Sequence, residues 1–340
     1  TAIYAFLPCY SGFMYYTITE SISPFFMLLT TFYWLKSFKK DSGFPLVFIL
    51  SGGFLLLIRP QLLIFVLLFL GYYLLKKQYK LFLYACLVLL PFLVWNIRST
   101  SITGKWMGIH PIYSETNNSL YRPSHEKMTE LFRIWEHEGD IFHSAIATLS
   151  NDTSFVALRK ALQQIPPECR SEVQAVFKKY QQLEFYRQTH FPNQMRISGY
   201  FPGEKEFDVE IVSVAKHLRS KYKKDYYLGT PFSSLRKLVV SSHLNLRIFQ
   251  LDFRGKWWSE SIRWICFSVL LLSYISTFLF LLLRKMNQLT IIALGISITF
   301  FYLAYFQRMN EERYLTPILP LCLIVLAVLS GILVRKRNLV

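Results

Sequence analysis

The fold of this chain is decided where its composition changes from apolar to polar. Residues 81–95 read LFLYACLVLLPFLVW, and the polar block Ser99–Ser259 follows almost at once. Apolar sequence returns after Ile262, so one polar region separates two strongly apolar ones. All seven histidines fall inside the block, between His110 and His243. Soluble domains do not segregate polarity in this way, whereas membrane proteins with one large loop do.

The totals of the 340-residue chain agree with a membrane protein, since 53% of the residues are hydrophobic and 17% are aromatic. The formal net charge of +17 would also fit a nucleic-acid-binding protein. Many lysines and arginines, however, lie in short clusters at the ends of apolar segments, as membrane topology requires. We therefore expect no nucleic-acid partner. Lys221, Lys223 and Lys224 within the block could face anionic lipid headgroups.

Eight apolar segments approach the roughly 20 residues that cross a hydrocarbon core of about 30 Å. These segments are Ala2–Tyr16, Ser21–Leu35, Phe44–Ile58, Gln61–Leu75, Leu81–Trp95, Ile262–Leu283, Leu289–Phe306 and Tyr314–Val334. The predicted fold class is all-α, a polytopic helical membrane protein of about seven to eight spans with one large helical loop. The predicted division is an amino-terminal membrane region 1–98, a loop domain 99–260 and a carboxy-terminal membrane region 261–340.

Basic clusters predict the orientation of these spans. By alternation, the clusters at 36–40, 76–80, 284–285 and 335–337 all reach the same side of the membrane. The positive-inside rule makes that side cytoplasmic. We therefore expect an integral protein of a cell membrane, most simply the bacterial inner membrane, with an extracytoplasmic loop and a cytoplasmic carboxy terminus.

The polar block is expected to be helical. Apolar residues recur among charged ones at helical spacing in four segments, Glu126–Leu149, Glu168–His190, Glu204–Lys224 and Pro231–Leu251. Thr230 before Pro231 is the pattern of an N-cap followed by proline at the first helical position.

The block contains neither a disulfide framework nor a metal motif. Cys169 is its one cysteine. The acidic run Glu136–Asp140 with His143 lacks the spacing that places two histidines on one helix face. We interpret that run as a solvated helix face and assign no metal site.

Several charged and polar residues fall at the extracytoplasmic ends of the predicted spans. They are Glu20, Arg59, Asn96, Arg98, Glu311, Glu312, Arg313 and Tyr314. Each by itself is explained by ordinary polarity at a membrane surface. Together they could form a site for an anionic lipid phosphate, because the planar fork of arginine donates two hydrogen bonds at once.

The stretch Glu311–Pro320, EERYLTPILP, is the most specific motif. Its Arg-Tyr pair followed by spaced prolines resembles the polyprenyl-phosphate-sugar-dependent glycosyltransferases with the GT-C fold. The nearest type is that of the protein O-mannosyltransferases and the aminoarabinose–lipid A transferases. Further segments match that family in the same order, namely Tyr10–Gly12 with Thr19–Glu20, Ser51–Gly53 leading to Arg59–Pro60, Pro91–Arg98 with Gly104, and Gly108–Tyr121 with Asn117 and Asn118.

The resemblance implies transfer of a sugar from a polyprenyl-phosphate carrier to a glycan, lipid or protein acceptor outside the cytoplasm. It implies a catalytic aspartate in the first extracytoplasmic loop, and we expect that loop and the first span to precede Thr1. Arg59, Arg98 and Arg313 are the candidates that bind the donor phosphate, with Tyr314 as a hydrogen-bond donor. The candidates that line the site are Glu20, Asn96, Glu311 and Glu312. No cofactor is assigned, although Mg²⁺ or Mn²⁺ would be compatible.

Three other functions remain open from the sequence. A polysaccharide polymerase or ligase also uses lipid-linked sugar and has many spans with one large loop. A transporter or flippase for lipid-linked sugar would carry ionisable residues in mid-span and symmetrical halves, which are not visible here. A receptor whose loop binds a partner is the third.

Overall fold

The computed structural model describes residues 18–39, 45–103, 106, 108, 123–135, 145, 156–190, 203–241, 255–283, 287–307 and 314–337. It divides the chain into two compact units. Unit 1 comprises Thr1–Pro111 and Leu235–Val340, and unit 2 comprises Ile112–Ser234. Within the described ranges every regular element is a helix, which confirms the predicted all-α class for that part of the chain.

The helices of unit 1 follow the apolar segments of the sequence. They are α1 (Ile18–Lys36), α2 (Leu46–Ile58), α3 (Leu63–Leu75), α4 (Tyr79–Ala85), α5 (Leu90–Thr103), α11 (Trp257–Leu283), α12 (Gln288–Phe301) and α13 (Leu319–Arg337). Short 3₁₀ turns at Pro60–Leu62 and Cys86–Leu89 join α2 to α3 and α4 to α5, and a π turn at Tyr302–Gln307 extends α12.

Unit 2 and the chain that leaves it contain more polar helices. They are α6 (Pro123–Phe132), α7 (Val156–Gln163), α8 (Pro167–His190), α9 (Glu204–Lys221) and α10 (Thr230–Arg236). Asp225–Gly229 and Lys237–Ser241 are π turns on either side of α10.

Three helical stretches in the described part are long and apolar enough to cross a membrane: Tyr79–Ser101, Trp257–Leu282 and Gln288–Phe306. Leu46–Ile58, Pro60–Leu75 and Leu319–Ile332 are apolar but shorter. The protein therefore contains helices compatible with a membrane. The count of seven to eight spans and the predicted division of the chain into three regions stay predictions.

One end of α1, α2 and α3 is packed with aromatic rings, and we call it the aromatic end. Trp34 stacks on Phe69 with ring centroids 4.2 Å apart, and its Nε1 donates a hydrogen bond to the Phe69 carbonyl at 3.2 Å. The ring of Phe38 stacks on Tyr73 at 5.1 Å. Lys36 lies over the ring of Tyr33, and Lys76 over that of Tyr72. The structure thus brings the lysines that follow α1 and α3 to the same end of the helices.

Unit 2 has its own apolar core between α6, α8 and α9. Phe132 contacts Phe177 with ring centroids 5.2 Å apart, and Tyr180 contacts Phe207 at 6.0 Å. Glu204, buried at the start of α9, accepts a hydrogen bond from the Ser124 hydroxyl at 2.6 Å. A carboxylate at this position also suits the positive end of the helix dipole.

The predicted N-cap at Thr230 is wrong. Thr230 has helical backbone angles (φ −67°, ψ −45°), and its N–H donates to the carbonyl of Asp225, whereas an N-cap residue has extended angles. The helix instead runs through the π turn Asp225–Gly229, which admits Pro231 without ending it. The Thr230 hydroxyl donates to the Ile134 carbonyl at 2.8 Å.

The last predicted span begins later than expected. Residues 314–318 form turns, in which the carbonyl of Leu315 accepts hydrogen bonds from the N–H groups of Ile318 and Leu319. Helix α13 starts at Leu319 rather than at Tyr314. The physical reason is that a proline lacks the N–H of a regular helix, and Pro317 and Pro320 both fall at this entry.

Candidate functional site

The packing of α1 against α2 sets the position of Arg59. The hydroxyl of Thr30 donates to Ser51 Oγ at 3.0 Å, and the ring of Phe26 stacks on Phe54 with centroids 5.6 Å apart. Residue numbers fall along α1 as they rise along α2, so the two helices are antiparallel. Continuing this register past Phe54 by about one and a half turns brings Arg59 level with the first turn of α1.

The packing of α2 against the 3₁₀ turn and α5 depends on two glycines. A Cβ atom at Gly52 would lie 2.5 Å from Cγ2 of Val88, and one at Gly53 would lie 2.9 Å from Cγ of Pro91. Glycine at both positions lets the backbone of α2 approach these two side chains closely. Numbers rise together along both segments, so the helices are parallel, and Asn96 reaches the same level as the end of α2. We call this level, with the first turn of α1, the Arg59 end.

The first turn of α1 brings Glu20 to the Arg59 end by its backbone position. Pro24 lies inside this helix. Because proline has no N–H, it cannot donate to the carbonyl four residues earlier, which is that of Glu20. The hydroxyl of Ser23, in the same part of the helix, is fully buried and has no hydrogen-bond partner among the described residues.

Asn96 is the most informative side chain at this end. It is 1% exposed, and its Nδ2 donates to the carbonyl of Phe92 at 3.0 Å. Its Oδ1 is buried, and no described group donates to it. Leaving a buried acceptor unpaired costs about 1–3 kcal/mol. The arrangement therefore offers a buried acceptor to a ligand that carries a hydroxyl or amide donor.

Arg59 joins α2 to the 3₁₀ turn and is half-buried. Its backbone N–H donates to the Leu55 carbonyl at 2.8 Å, and its own carbonyl accepts from the N–H of Leu62 at 3.0 Å. Both backbone groups thus fix the residue in the tight turn. Nε and Nη2 of its guanidinium are buried, so its positive charge lies largely inside the protein.

Arg98 differs from Arg59 in its surroundings. It lies on the exposed side of α5, two residues beyond Asn96, with its guanidinium 5.5 Å from the ring centre of Trp95. Trp95 is itself 45% exposed. Two residues on a helix are about 200° apart, so Arg98 and Asn96 point to different faces. Asn96 and the guanidinium Nε and Nη2 of Arg59 are thus buried, whereas Arg98 lies on the outside.

Tyr314 packs against the apolar core of unit 1. Two residues later, Thr316 is 1% exposed, and its Oγ1 has no hydrogen-bond partner in the described ranges. Pro320 cannot donate to the Thr316 carbonyl, because it lacks an N–H. The entry to α13 therefore holds a further buried hydroxyl without a described partner.

Some predicted site residues lie outside the described part of the chain. They are Glu311, Glu312, Arg313 and the side chain of Glu20. The acidic run Glu136–Asp140 with His143, interpreted as a solvated helix face, also lies outside the described residues. Within the described residues, no group of three or more histidine, cysteine or acidic side chains is placed to hold a metal ion.

A polar cluster in unit 2 was not foreseen from the sequence. The hydroxyl of Tyr222 donates to Glu168 Oε1 at 2.7 Å and lies 3.2 Å from Sγ of Cys169. Lys221 Nζ is 3.6 Å from the same sulfur, and the ring of Trp135 packs edge-on against Tyr222. Cys169 and Tyr222 are 53 positions apart, so no local sequence motif predicts their contact.

The cluster ties the start of α8 to the end of α9. Burial raises the pKa of Tyr222, and the hydrogen bonds with Cys169 and Glu168 raise it further. The hydrogen bond from Tyr222 lowers the pKa of Glu168, with smaller contributions from a backbone N–H and the charge of Lys221. At neutral pH the tyrosine therefore stays a donor and the glutamate an acceptor, which favours a role in joining the two helices.

Comparison of the chain with protein family models, with curated proteins and with solved structures found no match. The assignment of a function therefore depends on the residues and their placement.

Proposed function

We propose that this protein is an integral membrane glycosyltransferase, which transfers a sugar from a polyprenyl-phosphate carrier to an acceptor outside the cytoplasm. The observation that carries the proposal is the helix register, which places the start of α1, Arg59 and Asn96 at one level. These residues belong to three segments that resemble the glycosyltransferases in the same order. The apolar helices of unit 1 support a membrane location.

The reaction requires two kinds of group from the protein. The bond between the anomeric carbon and a phosphate oxygen breaks, and the acceptor hydroxyl forms the new bond and gives its proton to a base. The leaving phosphate gains negative charge and needs a cation near it. Arg59 supplies that cation, and Oδ1 of Asn96 accepts a hydrogen bond from a hydroxyl of the donor sugar. Arg313 and Tyr314 complete the phosphate site in this proposal.

The finer topology is part of the same proposal. Seven to eight spans place the lysines of the aromatic end in the cytoplasm. The Arg59 end, unit 2 and the tight connection before α13 then lie on the extracytoplasmic side. A carrier lipid with its phosphate at the outer surface would meet Arg59 at the level of the headgroups.

The direct test is turnover of polyprenyl-phosphate sugars by the full natural chain in proteoliposomes, with Arg59→Ala, Arg59→Lys and Lys76→Ala variants. Loss of Arg59 is expected to lower the rate of donor consumption about 100-fold, the range found when one charge-stabilising donor is removed. Lysine at this position should restore part of the rate, because it keeps the charge without the fork. Lys76, at the aromatic end, is the matched control and should keep the parent rate.

Two results would contradict the proposal at different levels. Parent protein that consumes no sugar of a broad panel, with any glycan, lipid or protein acceptor, overturns the transferase function. Donor that crosses the membrane without cleavage would indicate a flippase. Turnover by the parent together with an unchanged rate in Arg59→Ala overturns only the role of Arg59.

A further inference from the structure

The π turn Asp225–Gly229 and helix α10 have an unusual distribution of side chains. Leu228 and Phe232 are 65% and 71% exposed, and Tyr227 beside them is 49% exposed. On the opposite side, Thr230 is fully buried and Ser234 is 3% exposed. Tyr227, Leu228 and Phe232 thus face outward, whereas Thr230, Pro231 and Ser234 face inward.

In water this pattern is the reverse of what an amphipathic helix shows. Isolated exposed leucines need no explanation, but a face of aromatic and leucine side chains opposite a polar buried face does. The buried hydroxyl is well placed, because Thr230 donates to the Ile134 carbonyl at 2.8 Å. The outward face therefore matches an apolar or interfacial environment and not bulk water.

The charges beside this face have one predominant sign. Lys223 and Lys224 are exposed at the start of the same helical segment. A spacing of four residues places Lys224, Leu228 and Phe232 along one stripe, with Lys223 and Tyr227 next to it. Asp225 is the only acidic residue among positions 221–237. Lysines next to exposed aromatic and leucine side chains are the composition of a helix that lies on an anionic membrane surface.

We propose that this face, Lys223, Lys224, Tyr227, Leu228 and Phe232, docks on the surface of a bilayer that contains anionic phospholipid. The lysines bind headgroup phosphates, and Leu228 and Phe232 enter the boundary between headgroups and acyl chains. This inference rests on membrane insertion of the apolar helices and not on sugar transfer, so the two proposals fail separately.

Helix α9 provides an internal control. Val209 and Val212 are also exposed, at 69% and 44%. They belong, however, to a helix with an ordinary buried apolar face that includes Phe207 and Ile211, and Glu206 and Glu210 lie beside them. We therefore expect this second exposed apolar site to stay in water.

The test uses the full chain in nanodiscs of phosphatidylcholine with phosphatidylglycerol, doped with a phosphatidylglycerol that carries a photoactivatable group near the top of its acyl chain. After illumination, tryptic peptides are compared for attached lipid. The peptide Asp225–Arg236 contains the apolar residues of the proposed face, and Glu206–Lys216 contains the two control valines. We expect at least about fivefold more lipid on the first peptide, and less when the photoactivatable probe is the only phosphatidylglycerol in nanodiscs of phosphatidylcholine.

Two double variants separate charge from apolar contact. The first combines Lys223→Gln with Lys224→Gln, and the second combines Leu228→Ser with Phe232→Ser. Each should lower the amount of lipid attached to the tryptic peptide that ends at Arg236 about fivefold or more. Val209→Ser with Val212→Ser is the matched control and should leave that labelling unchanged. Equal labelling of the two parent peptides overturns the proposal. So does protection of Asp225–Arg236 from deuterium exchange without attached lipid, which would indicate that a protein covers the face.

Discussion

The aromatic end and the Arg59 end belong to the same helices but treat their polar groups differently. At the aromatic end, Trp34 donates to the Phe69 carbonyl, and the hydroxyls of Ser37 and Tyr73 lie 2.7 Å apart. At the Arg59 end, the buried Ser23 hydroxyl and Asn96 Oδ1 have no partner in the described part of the chain. The first arrangement stabilises the fold, although Gln78 Oε1 just beyond α3 is also buried without a described partner. In the proposed function, the unpaired groups at the Arg59 end are the ones that bind the sugar donor.

The largest expected effect is at the aromatic end. Trp34→Ala removes a fully buried ring that stacks on Phe69 at 4.2 Å. We expect a loss of about 3–5 kcal/mol in the free energy of unfolding, the range for large aromatic residues in cores. Denaturant titration of purified protein in detergent measures it. Phe32→Ala is the control, because that ring is 58% exposed and its removal should cost far less. Similar losses for both variants would show that the aromatic end is not a packed core.

A smaller loss of stability is expected from overpacking between the two ends, where α2 contacts the 3₁₀ turn before α5. Gly52→Ala places a methyl group 2.5 Å from the Val88 side chain. Overpacking of this kind costs about 1–3 kcal/mol. Gly71→Ala is matched to it, because nothing lies within 4 Å of a Cβ at that helical position. The same titration should show Gly71→Ala equal to or more stable than the parent. A tolerated Gly52→Ala would remove the basis for placing Asn96 level with Arg59.

The smallest expected changes in the free energy of unfolding come from removing a hydroxyl group at the aromatic end and an amide group at the Arg59 end. Tyr73→Phe removes the partner of Ser37 and should cost about 1 kcal/mol, the usual net value of a buried hydrogen bond. Asn96→Leu removes a buried acceptor that no described group pairs with, and it also removes the hydrogen bond from Nδ2 to the Phe92 carbonyl. The gain and the loss oppose each other, so stability should change by less than about 0.5 kcal/mol. The leucine variant should nevertheless lose sugar transfer in the turnover assay. If Asn96→Leu is the more destabilised of the two, the Arg59 end is structural.

Much of the fold could be predicted from the sequence, because long apolar runs leave few alternatives to helices. Segments such as Gln61–Leu75 and Leu289–Phe306 correspond closely to helices in the structure. The prediction that Thr230 is a helix N-cap was wrong. The sequence Thr-Pro is the same at an N-cap and where a proline follows a π turn. Local rules do not distinguish these two cases.

The candidate site was predicted as a set of residue types and not as a geometry. Membrane sidedness alone placed Arg59 and Arg98 together, but helix periodicity separates the buried Asn96 from the exposed Arg98. The levels of the helices depend on contacts such as that of Thr30 with Ser51, which no spacing rule gives. The cluster of Cys169 with Tyr222 was missed for the same reason, because it joins two helices across a long separation.

The brevity of the α2–α3 hairpin has a consequence for the surrounding lipid. Each arm has 13 residues, which gives a length of about 20 Å, against a hydrocarbon core of about 30 Å. In the proposed setting, the bilayer adapts by thinning beside the hairpin. The Arg59–Pro60 turn then sits at the bottom of a depression in the outer leaflet, where a carrier phosphate can descend to it. Bilayers of shorter acyl chains, which need less deformation, should therefore support faster turnover than thick ones.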